Sequence, residues 1–175
     1  MEMTGERQIA ASRAKVWAAL NDPDVLKQCI PGCESLEMQS PTDMTARVKL
    51  AIGPVRATFN GKVKLSDLDP PNSYRISGEG QGGVAGYAKG GAVVRLSDSG
   101  GGTLMHYDVK ADVGGKLAQL GGRLIDSTAK KLADEFFEKF AAVVGGAGAS
   151  APRPGSAPVK KGWFRRLWER LFGGG

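Results

Sequence analysis

From Met44 to Val113 the chain repeats one pattern, apolar side chains at every second position, and from Lys116 onward the apolar period lengthens to that of a helix. A period of two sends successive side chains to opposite faces of a strand, so this stretch has to form a sheet with one dry face. Met44, Ala46, Val48, Leu50 and Ile52 alternate with Thr45, Arg47, Lys49 and Ala51 before Gly53-Pro54 turns the chain. Ala57, Phe59, Gly61, Val63 and Leu65 then alternate with Thr58, Asn60, Lys62 and Lys64, and Asp69-Pro70-Pro71-Asn72 makes the next turn. Three more runs follow, with Tyr74, Ile76 and Gly78, then Ala92, Val94 and Leu96, then Met105, Tyr107, Val109, Ala111 and Val113 on the apolar face. Together they predict an antiparallel meander with one wet face.

Helices are expected on either side of it. Ser12 is placed to cap a helix carrying Val16, Trp17 and Leu20, and Asp22-Pro23 supplies a cap and a first-turn proline for a second short helix that Pro31-Gly32 ends. From about Lys116 to Val144 a long amphipathic helix is predicted, with Leu117, Gly121, Leu124, Ile125, Thr128, Leu132 and Phe136 on one face. Such a face has to lie across the dry side of the sheet. Gly121-Gly122 within it marks either a kink or frayed first turn, or missing side chains that leave room for a ligand.

Glycine makes up 26 of 175 residues, and the excess falls largely between positions 78 and 102. Inside strands that means bulges and thin packing, which fits a sheet wrapped around a cavity. Gly78-Glu79-Gly80-Gln81-Gly82-Gly83 matches a dinucleotide-binding fingerprint in form only, since Gly86, Gly90 and Gly91 rule out the helix that would receive the phosphates. Cys29 and Cys33 have neither redox nor zinc-site spacing, and with His106 the single histidine no metal site is expected. Strand parity turns His106 to solvent. The inward face of the five runs holds no Asp, Glu, Lys or Arg, so general acid-base catalysis lacks a group and no catalytic residue is assigned.

Charge divides the chain in two. Residues 1–144 carry 18 Lys and Arg against 17 Asp and Glu, net +1, whereas residues 145–175 carry 6 against 1, net +5, which together give the +6 of the whole. A near-neutral body argues against nucleic-acid binding. Residues 145–159 are a Gly/Ala/Ser/Pro linker with no side chains to build a core, expected to tether the body with freedom to turn. In the last segment, residues 160–175, Trp163, Phe164, Leu167, Trp168, Leu171 and Phe172 fall on one half of a helical wheel and Arg165, Arg166, Glu169 and Arg170 on the other. A helix from Trp163 to Phe172 is only ~15 Å long, too short to span a bilayer, so it is expected to lie in the membrane interface. A partner's groove or the chain's own body are the alternative resting places for it. The N-terminus has neither a basic start nor an apolar run, so no signal peptide is expected and the chain is placed in the cytoplasm, at the membrane surface.

Cys29-Ile30-Pro31-Gly32-Cys33, Gly53-Pro54-Val55, Asp69-Pro70-Pro71, Gly78-Glu79-Gly80 with Ala85-Gly86-Tyr87, and above all Leu120-Gly121-Gly122-Arg123-Leu124-Ile125 followed by Phe136-Phe137 resemble the carbon monoxide dehydrogenase G-subunit family. The likeness covers residues 1 to about 144. It implies an α+β, START-like helix-grip fold of the polyketide-cyclase superfamily: a curved antiparallel sheet wrapped around a long C-terminal helix, here followed by the linker and tail. It also implies a non-catalytic accessory protein linking a molybdenum hydroxylase to the respiratory chain at the inner membrane, with a respiratory quinone as carried ligand and no covalently bound cofactor. The expected cavity lining is Leu50, Phe59, Val63, Ile76, Val94, Met105, Tyr107, Val109, Leu117, Gly121, Leu124, Ile125 and Thr128; the inward polar atoms are mainly the Tyr74 and Tyr107 hydroxyls with Thr128 from the helix, and Tyr107 is either a donor to a quinone carbonyl or a buried core tyrosine. Two other functions remain compatible with the sequence: a membrane-recruitment factor with no cavity ligand, and a cyclase or hydrolase of aromatic or polyketide-like substrates.

Overall fold

The computed structural model describes residues 1–145; the expected linker and tail, with the residues Trp163 to Phe172 expected to bind the membrane, lie outside the described residues. The elements run β1 (Glu2–Ile9), α1 (Arg13–Leu20), α2 (Pro23–Cys29), β2 (Cys33–Ser40), β3 (Asp43–Ile52), β4 (Val55–Asp69), β5 (Ser73–Gln81), β6 (Tyr87–Ser99), β7 (Gly102–Gly114), α3 (Lys116–Gln119) and α4 (Gly122–Gly145). The sheet has seven strands in the order β1-β7-β6-β5-β4-β3-β2, all neighbours antiparallel. It curves around α4 in the arrangement that the period switch at Lys116 predicts.

The five runs read from alternation are β3 to β7. Two further strands, β1 and β2, carry no such signal, for identifiable reasons. The side of β1 that faces inward presents Met3, Gly5, Arg7 and Ile9, in which a glycine and a guanidinium interrupt the apolar series. In β2 register shifts between Cys33 and Ser35 and between Met38 and Ser40 break the period of two. Local caps behave as read: the Ser12 hydroxyl accepts from the Lys15 amide at 3.2 Å, and the Asp22 carboxylate from the Asp24 amide at 2.9 Å with Pro23 in the first turn.

The expected single helix from Lys116 is instead two. Gly121 sits between α3 and α4 at φ +88°, a conformation that a residue with a Cβ adopts only under strain, and it is exposed. The row Leu117, Gly121, Leu124, Thr128 is therefore not one helix face. Leu117 is buried on α3, Gly121 is the break, and Leu124 and Thr128 belong to α4.

Because β2 to β7 form a meander, hairpins fall alternately at the two ends of the sheet. The β3–β4 and β5–β6 connections and the β7–α3 junction share one end, and the β2–β3, β4–β5 and β6–β7 turns and the end of β1 share the other. α4 starts at the first end and finishes at the second, where a Cβ on Gly145 would lie 3.5 Å from the Ala10 carbonyl. Arg13, at the start of α1, closes the second end by donating to the Asn72 side chain and pairing with Asp98 at 3.3 Å.

Candidate functional site

The core is in two pieces. At the second end a large cluster gathers Ile9, Val16, Leu20, Leu26, Met44, Leu65, Tyr74, Val94, Leu96, Met105, Tyr107, Phe140 and Val144, among others. At the first end Ile52, Phe59, Ala85 and Leu117, with Leu50, Val55, Val113, Leu120 and Ile125 packed on them, form a separate and smaller one.

Between them the inward face of the sheet lacks bulk. The register aligns Ala46, Gly61, Gly80 and Ala88 across β3 to β6 in one row, and Gly78, Gly90 and Ala111 across β5 to β7 in the next. All lie at the positions of inward parity. A Cβ built on Gly80 would meet only the Phe59 Cβ at 3.8 Å, and one on Gly61 only backbone oxygens at 3.6 and 3.8 Å, so the floor there is open.

The long helix responds to that gap. Near its end Phe140, Ala141 and Val144 are fully buried, whereas Leu124, Ile125, Thr128, Ala129 and Leu132 are only half-buried. Ile125 packs with the small cluster and Phe136 with the large one, so the turn from Thr128 to Leu132 spans the stretch between the two clusters. Apolar side chains facing a floor of glycine and alanine have too few neighbours to be sealed from water.

The expected cavity lining is therefore divided rather than gathered. Leu50, Phe59, Leu117 and Ile125 stand at the small cluster, and Val63, Ile76, Val94, Met105, Tyr107 and Val109 at the large one. Leu124 reaches the β3–β4 turn, its Cδ2 lying 2.8 Å from where a Cβ on Gly53 would be. Gly121 opens to space in which an added Cβ meets nothing within 4 Å. The glycine rows themselves are what residue-by-residue reading missed: Gly61 and Gly80 become neighbours only through strand register.

The inward face also carries a charge. Arg7 of β1 pairs with Asp134 of α4, its Nη2 donates to the Tyr107 hydroxyl oxygen at 3.4 Å, and its guanidinium lies 5.0 Å from the centre of the Phe137 ring. Phe137 stacks on Tyr107 at 5.1 Å and 17°. Gly5 makes this possible, since a Cβ there would come within 2.2 Å of the Tyr107 oxygen. Burial disfavours the charged guanidinium, yet the hydrogen bonds to Asp134 and Tyr107 outweigh it and raise the pKa of Arg7. Tyr107 thus belongs to a packed latch between β1, β7 and α4, four residues along β7 from the glycine row at Ala111.

Other polar groups are set apart from the grip. Tyr74, against the edge of Trp17 at 5.2 Å, has its phenol pKa pushed up by burial. Cys29 is buried and Cys33 half-buried; both are free, and burial raises both thiols. His106 is on the outer face as parity predicts, but half-buried, with a buried Nδ1 3.7 Å from the Asp108 carboxylate and no hydrogen-bond partner. Among the described residues no three His, Cys, Asp or Glu side chains converge. A trough of about 820 Å³ on the outer face is open and crossed by Lys62, Glu79, Lys89 and Asp112, which alternate in sign across paired strands. That pattern is a solvated sheet face stabilised by cross-strand pairs.

The model of the carbon monoxide dehydrogenase G-subunit (CoxG) family matches residues 5–145. The chain belongs to this family. A conserved protein from Geobacillus kaustophilus is 30% identical over 82% of this chain and 95% of its own, with a TM-score of 0.78. A START superfamily protein from Mycobacterium smegmatis (15% identical, TM-score 0.63, 82% and 96% covered) and a protein from Chromobacterium violaceum (14%, 0.64, 83% and 98%) share the fold. No curated protein matches the chain. The family name implies a link to carbon monoxide dehydrogenase, and the seven-stranded sheet with its long C-terminal helix is the START-like helix-grip fold. Among the described residues no helix is long and apolar enough to cross a membrane.

Proposed function

We propose that this CoxG family member carries an apolar molecule, a respiratory quinone, between the glycine-floored sheet and the Thr128–Leu132 turn of α4. On this reading it serves a molybdenum hydroxylase of the carbon monoxide dehydrogenase type as a non-enzymatic partner. The observation that carries the reading is the half-buried set Leu124, Ile125, Thr128, Ala129 and Leu132 on α4 together with the uncrowded inward positions at Gly61, Gly78 and Gly80. Its lining offers little to a charged molecule and suits a flat ring with an isoprenoid tail, whose burial supplies affinity in proportion to apolar area. The family name supports the link to the dehydrogenase. The amphipathic segment Trp163 to Phe172, with Arg165, Arg166 and Arg170, supports peripheral attachment to the inner membrane.

Mass spectrometry of an organic extract of protein purified without detergent tests the ligand, and titration with a short-tailed quinone tests the site. A stoichiometric quinone and saturable binding are expected. An empty extract together with no saturable binding overturns the carrier reading and leaves recruitment alone. Ending the chain after Val159 is expected to weaken vesicle attachment strongly while leaving the melting temperature unchanged; unaltered attachment refutes the tail's role.

A further inference from the structure

The near-zero charge of the body conceals a polarity along the axis of the grip. At the first end, three segments meet in the small apolar cluster: residues 52–56 at the β3–β4 turn, 82–87 between β5 and β6, and 114–123 from the end of β7 to the start of α4. These hold Arg56, Lys116 and Arg123, all exposed, and not one carboxylate. Among the described residues none of the three is in an ion pair. At the second end, residues 10–13, 40–43, 67–72 and 97–102 hold Asp43, Asp67, Asp69 and Asp98 against Arg13, which pairs with Asp98, and Arg75 of β5 reaches in to pair with Asp67 at 3.2 Å, so carboxylates still outnumber cations there. The body is thus basic where the grip is closed by few side chains, and acidic where it is sealed by the large cluster and the Arg13 contacts.

The basic end also exposes apolar surface. Val84, at the tip of the β5–β6 connection, is 87% exposed, and Tyr87 beside it 44%. The connection is held to the base of α3 backbone to backbone, since a Cβ on Gly86 would lie 2.1 Å from the Gly114 carbonyl. A valine held out at the tip of a braced loop, ringed by cations and free of carboxylates, matches an interface with negative headgroups outside and hydrocarbon beneath.

We propose that this rim docks on an anionic lipid bilayer, with Arg56, Lys116 and Arg123 on the headgroups and Val84 and Tyr87 entering the interface. The end of the grip closed only by the small apolar cluster then faces the membrane, and an apolar ligand passes between bilayer and cavity through that cluster without crossing water. The passage of ligand rests on the carrier reading above; the docking does not. The acidic opposite end is repelled by the same surface, so the charge polarity orients the body. α4 delivers the chain to the linker at that opposite end, so a tail lying on the membrane and the rim are separate attachments joined by residues 146–159.

The test uses the full chain with quinone-free vesicles of equimolar phosphatidylglycerol and phosphatidylcholine. A nitroxide is attached at Val84→Cys, or at Leu68→Cys of the acidic end as control, in a Cys33→Ser background. The probe at position 84 is expected to lose access to a water-soluble nickel chelate and gain access to oxygen, while the probe at 68 stays in water. Combining Arg56→Glu, Lys116→Glu and Arg123→Glu is expected to return position 84 to water and to weaken vesicle affinity roughly tenfold or more, with circular dichroism unchanged. A probe at 84 as water-exposed with vesicles as without overturns the proposal, as does immersion that survives both the triple reversal and a change to neutral lipid. Immersion at 84 in a protein that binds no quinone in solution sustains the rim and removes the carrier reading. Quinone binding with 84 in water does the reverse.

Discussion

Replacing Gly80 by leucine separates an unfilled grip from a packed one. A Cβ at this position meets a single neighbour at 3.8 Å, and the backbone there is extended without a positive φ, so the new side chain enters the gap beneath α4 without strain. Its four carbons, at about 0.8 kcal/mol per buried CH2, are worth up to ~3 kcal/mol if fully buried. Half-burial reduces that to about 1.5 kcal/mol, fixing the leucine rotamer costs about 0.5 to 1, and removing a glycine from a strand interior returns about 0.5 to 1. The net is a stabilisation of about 1 to 2 kcal/mol, read by calorimetry as a rise in Tm of roughly 3 to 7 °C for a domain of this size. Because the leucine occupies the space assigned to the ring, titration with short-tailed quinone is expected to show affinity reduced by a factor of ten or more. If the site were already packed, the same change would cost about 1 to 3 kcal/mol through overpacking. A lowered Tm together with unaltered quinone affinity refutes the cavity.

Gly121→Ala should destabilise by about 1 kcal/mol, since the φ of +88° at the α3–α4 break is strained for any residue with a Cβ although nothing lies within 4 Å of it; an unchanged urea midpoint refutes the conformational role. Arg7→Met keeps the stem over Phe137 but loses the pair with Asp134, whose side chain is 48% exposed and rehydrates, so a loss of only about 1 kcal/mol is expected, with quinone binding unchanged because the latch is not over the glycine rows; a tenfold loss of binding refutes that separation. For Tyr74, burial raises the folded pKa above the ordinary 10.0, so its neutral form is the one folding favours: stability is fully present below pH 10 and declines above it, by up to about 1.4 kcal/mol per pH unit. Urea unfolding from pH 8 to 11 should show a steeper decline for the natural protein than for Tyr74→Phe, and equal slopes refute it.

The pattern of residues carried most of the architecture. Five central strands, the capped helices α1 and α2, and a long helix across the dry face follow from periods of two and 3.6 with their turn residues, because those periods are imposed by backbone geometry and burial of one face. Gly121 was ambiguous as text, since a glycine needed for its φ and a glycine needed for space look alike. The edge strands β1 and β2 were illegible because their pairing depends on β7 and β3 more than on their own apolar pattern. With β1 went Arg7, and with Arg7 the latch that holds α4.

The sequence by itself determined which side chains of the five central strands share the inward face, and that the basic excess falls in residues 145–175. Only the tertiary structure decided where on that face the room is. Gly61 and Gly80 are nineteen positions apart in the chain, and Gly78 and Gly90 twelve. Strand register puts each pair side by side and α4 above them, which turns scattered glycines into a floor. The charge polarity of the body is hidden from a net count of +1 for the same reason: the meander sends alternate turns to opposite ends, and only then do Arg56, Lys116 and Arg123 stand together, away from Asp43, Asp67, Asp69 and Asp98.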